Sequence, residues 1–369
     1  MRLLVSAGGT GGHITPALAV VAELESSPRS AEAVLWVGTA GEMEETLVPR
    51  AGLSLETISG GGLHGVGFWN TIRNGGRLVG GWVQARRLVR RFRPDVLILT
   101  GGYSAGPVAL AAWERRVPMV IFLPDIEPGL AIKVLSRIAT RVACTAEQSE
   151  AFLPSGKIVV TGYPVRPDLK PAIDAAEART LFDLDPAIST LLVFGGSRGA
   201  RSINTALMGI LKELLIDIQV IHISGELDWE TVAGNAAGLP AEMRVRYRPF
   251  SYLHDRMGQA LAAADLVVSR AGAATLGEYP AFGLPAVLVP YPHAWRYQKV
   301  NADYMAAAGA AIRLDDQDMV TQLLPTIQRL LNDRAVLEQM QAASRALDRP
   351  RAAQRVANLL VDLAARGSP

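Results

Sequence analysis

Residues 8 to 13 read Gly-Gly-Thr-Gly-Gly-His, placed directly after the apolar stretch Leu3–Ala7 and directly before a helical pattern. Glycine allows positive φ and lets another molecule approach the backbone. A helix start presents N–H groups that have no partner inside the helix. Strand, glycine loop and helix in that order therefore suit a phosphate or a developing anion. Thr10, Gly11 and Gly12 supply the loop, and His13 sits in the first helical turn, where an imidazole can take a proton from an attacking hydroxyl. Taken alone, His13 reads more simply as a capping or packing residue. Its surroundings favour chemistry.

A second loop of the same design lies at 195–201, Gly-Gly-Ser-Arg-Gly-Ala-Arg, after the apolar run Leu191–Phe194, and offers the Ser197 hydroxyl to an anion. The two copies read as two halves of one architecture. A third small-residue turn follows Leu266–Ser269. There Ala273, Ala274 and Thr275 offer N–H groups and a hydroxyl, and Leu276, Gly277 and Glu278 continue the helix. A carboxylate one turn along, Glu278, can accept from two neighbouring hydroxyls, as ribose is commonly held in α/β sites. Phosphate at the turn and ribose one turn on describe a nucleotide. The plain alternatives are a solvated Glu278 and a Thr275 that only starts a helix. Arg166, where the first series of elements ends, matches phosphate oxygens with its planar fork.

Two familiar phosphate loops are excluded. Counted from Gly9, the third glycine of G-x-G-x-x-G falls on Ile14. At Gly156-Lys157 the first Walker glycine is Ala151 and the lysine precedes Ile158.

The elements that must position these residues alternate. Short apolar runs bounded by Gly and Pro are followed by longer Ala- and Leu-rich helical patterns, which predicts βαβ units and parallel sheets. Strands are expected at 3–7, 34–37, 96–100, 119–123, 142–145 and 158–161, then at 191–194, 220–224, 243–247, 266–269 and 286–289. Three helical patterns from about 319 to 365 close the chain. With 369 residues, two domains are the default. We expect an α/β chain with an N-terminal Rossmann-like domain at 1–163 and a second, nucleotide-binding one at 164–348. A final helix at 349–369 is expected to pack back on the first domain, and the two doubly wound parallel sheets to face each other across a cleft.

Composition narrows the function. A formal net charge of +2 is too small for binding driven by phosphate neutralisation, so no nucleic-acid partner is expected. The one cysteine, Cys144, cannot form an internal disulfide or a thiolate metal site. No apolar run is long enough for a signal peptide or a membrane span. Between Gly61 and Pro94, however, there is no acidic residue, while Arg73, Arg77, Arg86, Arg87, Arg90, Arg91 and Arg93 mix with Phe68, Trp69, Trp82 and Phe92. Such a stretch can lie on an anionic membrane surface. It reads equally as a core helix with solvated arginines, and the glycine pairs 75–76 and 80–81 argue against one long straight helix.

The segments GGTGGHITPALA, TGGYSAGPVALAA, GYPVR, GGSRGARSIN and SRAGAATLGE…AFGLPAVLVPYPHAWRYQKVNA fall in the order and spacing of the MurG family of bacterial glycosyltransferases, family 28. The resemblance covers nearly the whole chain. It implies a GT-B fold and an inverting displacement in which GlcNAc passes from UDP-GlcNAc to the MurNAc 4-hydroxyl of lipid I, giving lipid II for peptidoglycan. It also implies no metal, no cofactor beyond the donor, and a peripheral position on the cytoplasmic face of the membrane. By position, His13 would be the catalytic base, with Thr10, Gly11 and Gly12 at the junction of donor and acceptor. Arg166, Ser197 and Ala273–Thr275 would hold the diphosphate, Leu276, Gly277 and Glu278 the ribose side, Gln298 and Asp125 the sugar, and the backbone of Phe250 and Ser251 the uracil. Tyr103 and Ser104, with Phe68, Trp69, Trp82, Arg86 and Arg90, would serve the acceptor and the membrane.

Four departures stand out. The family's His-Glu-Gln-Asn is Phe122-Leu123-Pro124-Asp125 here. Tyr163 replaces the asparagine of GNPVR, Arg198 a glutamine, and Tyr297 the glutamine before Gln298. A transferase of the same fold with another lipid-linked acceptor, a UDP-sugar 2-epimerase and a non-catalytic nucleotide-sugar binder remain as alternatives.

Overall fold

The computed structural model describes all residues except 28–30, 62–67, 170–172, 197–198, 254, 293–295 and 368–369, and leaves the side chains of 68–75, 168 and 367 undescribed. The chain divides into two compact units, Met1–Arg166 with Arg349–Pro369, and Pro167–Asp348. Arg166 thus closes the first unit's main segment.

In the first unit the described strands are β1 (Arg2–Ala7), β2 (Ala33–Thr39), β3 (Ser54–Ile58), β4 (Val96–Gly101), β5 (Met119–Leu123), β6 (Arg141–Cys144) and β7 (Ile158–Val160). They form one parallel sheet in the order β3-β2-β1-β4-β5-β6-β7. Its helices are α1 (Gly11–Glu25), α2 (Glu44–Arg50), α3 (Phe68–Phe92), α4 (Ala105–Glu114) and α5 (Leu130–Leu135). In the second unit β8 (Thr190–Phe194), β9 (Gln219–Ile223), β10 (Tyr247–Phe250), β11 (Leu266–Ser269), β12 (Ala286–Leu288) and β13 (Ala311–Arg313) run parallel in the order β10-β9-β8-β11-β12-β13. It carries α6 (Ala175–Thr180), α7 (Arg201–Asp217), α8 (Trp229–Ala237), α9 (Ala241–Arg244), α10 (Met257–Ala263), α11 (Thr275–Phe282), α12 (Tyr297–Ala307), α13 (Met319–Asn332) and α14 (Arg334–Leu347). The last helix, α15 (Ala352–Gly367), belongs to the first unit and packs on α1. Two Rossmann-like, doubly wound sheets in one chain are the α/β organisation expected from the sequence.

Both sheets reverse direction beside their first strand. β2 and β3 build to one side of β1 and β4 starts the other; β9 and β10 flank β8 on one side and β11 starts the other. A parallel sheet binds ligands at the carboxyl ends of such neighbouring strands. The central strands are continuous apolar runs because helices cover both faces: Leu3, Leu4 and Val5 of β1 and Leu191 and Leu192 of β8 are fully buried.

Three strand expectations need correction, all at sheet edges. β3 and β13 were missed, and the run expected at 243–247 is in fact α9 followed by β10 at 247–250. Pro249 explains the last: proline is confined to edge strands, and β10 is one, paired only with β9.

The glycine pairs do not break α3, which runs unbroken from Phe68 to Phe92. Gly81 is there for a close approach, since a Cβ would stand 2.0 Å from the Ser59 carbonyl oxygen. Of the residues assigned to a membrane face, Trp82 is half-buried against the core and stacks under the Arg86 guanidinium at 4.9 Å. Arg86 is also ion-paired with Glu114 at 3.0 Å. Arg90 is exposed, as are Val79 and Val83. The side chains of Phe68 and Trp69 lie outside the described ones. No helix among the described residues is long and apolar enough to cross a membrane.

Candidate active site

At the first switch point β1 ends in Gly8 and Gly9, and Gly9 takes φ +82°, a turn that L side chains resist. Thr10, extended at φ −141°, is the N-cap of α1, and its carbonyl accepts from the N–H groups of His13 and Ile14. Its hydroxyl lies 3.2 Å from His13 Nδ1. The N–H groups of Gly11 and Gly12 begin the helix and have no acceptor within it.

Opposite, the β1–β4 register shifts at Ser6/Ala7, so that Ala7 pairs with Gly101 and Thr100 is left over. That bulge turns the Thr100 hydroxyl onto the His13 carbonyl at 2.6 Å. It also brings Gly101 under the imidazole, where a Cβ would stand 2.8 Å from His13 Cδ2. His13 is half-buried, held by main-chain contacts on one side and the Thr10 hydroxyl on the other.

Tyr163 completes this turn. Pro16 has no N–H to give the Gly12 carbonyl four residues back, and the Tyr163 hydroxyl donates to that carbonyl at 3.4 Å. The hydroxyl is also 3.2 Å from Thr15 Oγ1, and the ring meets Phe122 edge-to-face at 6.1 Å. Two of the departures from the family pattern, at 122 and 163, are therefore in contact. Asp125, half-buried, follows β5 on the same carboxyl edge. Tyr103 is 46% exposed beside Gly60.

Ser104 is fully buried, donates to the Val37 carbonyl at 3.2 Å and sits 3.0 Å from the Ser6 hydroxyl, so its side chain ties β1, β2 and α4 together.

At the second switch point Gly195, Gly196 and Gly199 turn the chain from β8 into α7, the last two with φ +88° and +76°. Ser197 and Arg198 lie outside the described residues. Beside it, β11 leads through Arg270–Ala274 into α11, and among the described residues the N–H groups of Ala273 and Ala274 have no acceptor. N–H groups left open at a helix start can receive an anion. The Thr275 hydroxyl donates to the Gly272 carbonyl at 2.7 Å, which makes it a support of the turn that can still accept. Leu276 and Gly277 are buried, and Glu278 is half-buried in the first turn. The carbonyls of Phe250 and Ser251 accept from Ser224 and Gly225 N–H, which fixes that backbone at the end of β10. Gln298, at the start of α12, accepts from Tyr291 N–H at 2.8 Å. Arg166 is half-buried at the end of the first unit's main segment.

Sequence reasoning missed the polar groups underneath. Arg270, with a side chain only 9% exposed, binds Asp316, the Ser202 hydroxyl at 2.7 Å and the Val289 carbonyl at 3.2 Å, joining the turn before α13, the start of α7 and the segment after β12. The Asn301 amide donates to the Ala271 carbonyl at 3.2 Å. His222, fully buried, accepts at Nδ1 from the Tyr247 hydroxyl (2.7 Å) and donates at Nε2 to Asn204 Oδ1 (3.0 Å). Asn204 in turn donates to the Ser224 carbonyl and to Asp228, both at 2.9 Å. A histidine inside the apolar run QVIHI was the available signal. For Arg270 there was none.

Burial pushes the His222 imidazole down to about 4. Unfolding restores its ordinary 6.5, so below that pH the unfolded chain takes up a proton the folded chain refuses. The stability that the neutral imidazole contributes is complete above 6.5 and is lost as the pH falls toward 4, roughly 3 kcal/mol in all. Thermal unfolding followed from pH 7 to pH 4.5 should show this slope, and His222→Gln should flatten it. Cys144, also buried, has its thiol pushed up to about 12 by desolvation, which leaves it inert.

Comparison with known proteins follows the same division. The glycosyltransferase family 28 N-terminal domain matches residues 3–144 and the glycosyltransferase family 28 C-terminal domain residues 190–356. A protein of Moorella thermoacetica, 40% identical over 370 residues covering 98% of both chains, is named UDP-N-acetylglucosamine--N-acetylmuramyl-(pentapeptide) pyrophosphoryl-undecaprenol N-acetylglucosamine transferase. One of Roseiflexus sp. with the same name is 38% identical, covering 99% of this chain and 96% of the relative. Among solved structures, Acinetobacter baumannii MurG superposes with a TM-score of 0.76 at 27% identity, covering 98% of this chain and 99% of the other. The UDP-GlcNAc 2-epimerase of Neisseria meningitidis superposes at 0.67 with 13% identity, covering 98% and 100%, a likeness of fold alone. Matched in both halves by the family's domains and along nearly all its length by these relatives, the chain belongs to glycosyltransferase family 28 and is a glycosyltransferase.

Proposed function

We propose that this transferase moves GlcNAc from UDP-GlcNAc to the 4-hydroxyl of MurNAc in undecaprenyl-diphospho-MurNAc-pentapeptide, with inversion at the sugar C1. The observation that carries this reading is the pair of relatives, 38% and 40% identical nearly end to end, both named for that transfer.

The residues fit the chemistry. His13, its ring backed by Gly101, takes the proton of the acceptor hydroxyl as that oxygen bonds to C1. The C1–O bond to the diphosphate breaks, and its electron pair leaves with UDP. The N–H groups of Ala273 and Ala274, with Arg166 and Ser197, meet the charge that grows on the leaving phosphate, which lowers the transition state more than the ground state. Glu278 receives the ribose hydroxyls, Gln298 and Asp125 the sugar, and the strand end at Phe250 and Ser251 the uracil. Thr10, Gly11 and Gly12 border the reacting atoms. The exposed Val79, Val83, Arg87 and Arg90 of α3 suit a lipid-linked acceptor met at the inner face of the cytoplasmic membrane, with the protein peripheral there.

The purified protein, given UDP-GlcNAc and a soluble lipid I analogue, is expected to form the disaccharide product and release UDP. No transfer, with activity on another glycolipid, would move the reading to a different acceptor. Conversion of UDP-GlcNAc to UDP-ManNAc without acceptor would move it to an epimerase.

A further inference from the structure

The first unit buries a carboxylate directly beneath the loop that carries His13. Glu44, the first residue of α2, is 1% exposed. Its Oε2 accepts from Gly9 N–H and its Oε1 from Thr39 N–H, each at 2.9 Å. The backbone around it is shaped to admit it. A Cβ on Gly8 would stand 2.2 Å from Oε1, and one on Gly38 would stand 2.5 Å from Cγ. Both positions must therefore lack a side chain while Glu44 keeps this place.

The contact sits one peptide away from the reacting groups. Gly9 N–H is anchored, Gly9 turns the chain at φ +82°, and Thr10 then caps α1 and places its hydroxyl 3.2 Å from His13 Nδ1. Bonds from N–H to a carboxylate are about twice as strong as neutral ones, so this anchor holds the loop more stiffly than another turn of backbone could. We propose that Glu44 is a positioning residue for the transfer: it fixes the Gly9–Thr10 turn so that His13 meets the acceptor hydroxyl in reacting geometry. The inference rests on the transferase reading above.

Glu44→Gln keeps the shape, but its NH2 must face one of the two N–H donors, which frees one end of the anchor. A loop displaced by about 1 Å loses on the order of 100-fold in rate, so kcat is expected to fall about 30- to 100-fold. The KM for UDP-GlcNAc should stay within about twofold, because the donor groups proposed above lie mainly on the second unit. Glu44→Asp retains the charge but is too short to span both N–H groups, and a loss of about 5- to 10-fold is expected; it also serves if Glu44→Gln does not fold. Amide hydrogen exchange over residues 8–13 provides a readout that needs no activity, and it should quicken in both variants.

A kcat unchanged within threefold overturns the inference. So does a fall in kcat matched by an equal rise in donor KM and a lowered melting temperature, the pattern of general destabilisation. Should the wild-type protein transfer nothing, the function reading fails by itself; faster exchange would then still establish the anchor, and unchanged exchange would overturn it.

Discussion

His13→Ala is expected to lower kcat for transfer by about 10²- to 10⁴-fold while leaving the affinity for UDP nearly unchanged. The imidazole lies in the first turn of α1, with its Nδ1 near Thr10 Oγ1 and its ring over Gly101, and the donor groups proposed above lie mainly on the second unit. Measuring kcat beside UDP binding by titration calorimetry checks both halves. A large loss of UDP affinity would mean that His13 holds the donor instead of serving the acceptor. An unchanged kcat would remove it from the chemistry. A companion change, Gly101→Ala, should lower kcat in the same way without deleting the imidazole, because the new Cβ would press on the ring from 2.8 Å and Gly101 already sits at φ +141°.

Gly199→Ala should produce the largest loss on the donor side. Gly199 adopts φ +76°, and a Cβ there would lie 2.4 Å from the Ser224 carbonyl oxygen, a backbone atom that cannot swing away. That carbonyl is held from below by Asn204, which His222 and Asp228 hold in turn. The strain cannot relax into the floor of the loop, so the loop itself must move, at a cost of about 2–4 kcal/mol. Binding of UDP should weaken at least about 30-fold, the factor that roughly 2 kcal/mol sets. Gly209→Ala is the control. It lies within α7 with nothing near its would-be Cβ, so alanine there should raise stability by about 0.5–1 kcal/mol. If both variants bind UDP as the wild type does, the second glycine loop is not the phosphate cradle.

Much of this was legible because parallel strands covered on both faces must be continuous apolar runs. Leu266–Ser269 and Met119–Leu123 are found in the structure with the bounds read from the sequence. Of the four described edge strands only β7, Ile158–Val160, carries such a mark. β3 is half polar, β13 has three residues and β10 contains Pro249, since a strand with one neighbour needs fewer buried side chains and fewer N–H groups. Helix α3 is longer than its glycine pairs suggest, for the opposite reason. Glycine propensity argues against a helix at 75–81, yet the Gly81 position is set by packing against Ser59, and packing outweighs about 1 kcal/mol of propensity.

The sequence by itself determined the alternating parallel architecture, the two glycine loops and the presence of a histidine in the first of them, because each follows from local residue types and their spacing. Tertiary structure alone decided what stands behind those loops. Glu44 beneath Gly9, Tyr163 on the carbonyl that Pro16 leaves open, Arg270 on Ser202 and Ser104 turned inward are contacts between residues 35 to 151 positions apart. No period or motif encodes such a pairing. It exists only once the strands have taken their order in the sheet and brought the carboxyl ends of β1 and β4, and of β8 and β11, side by side.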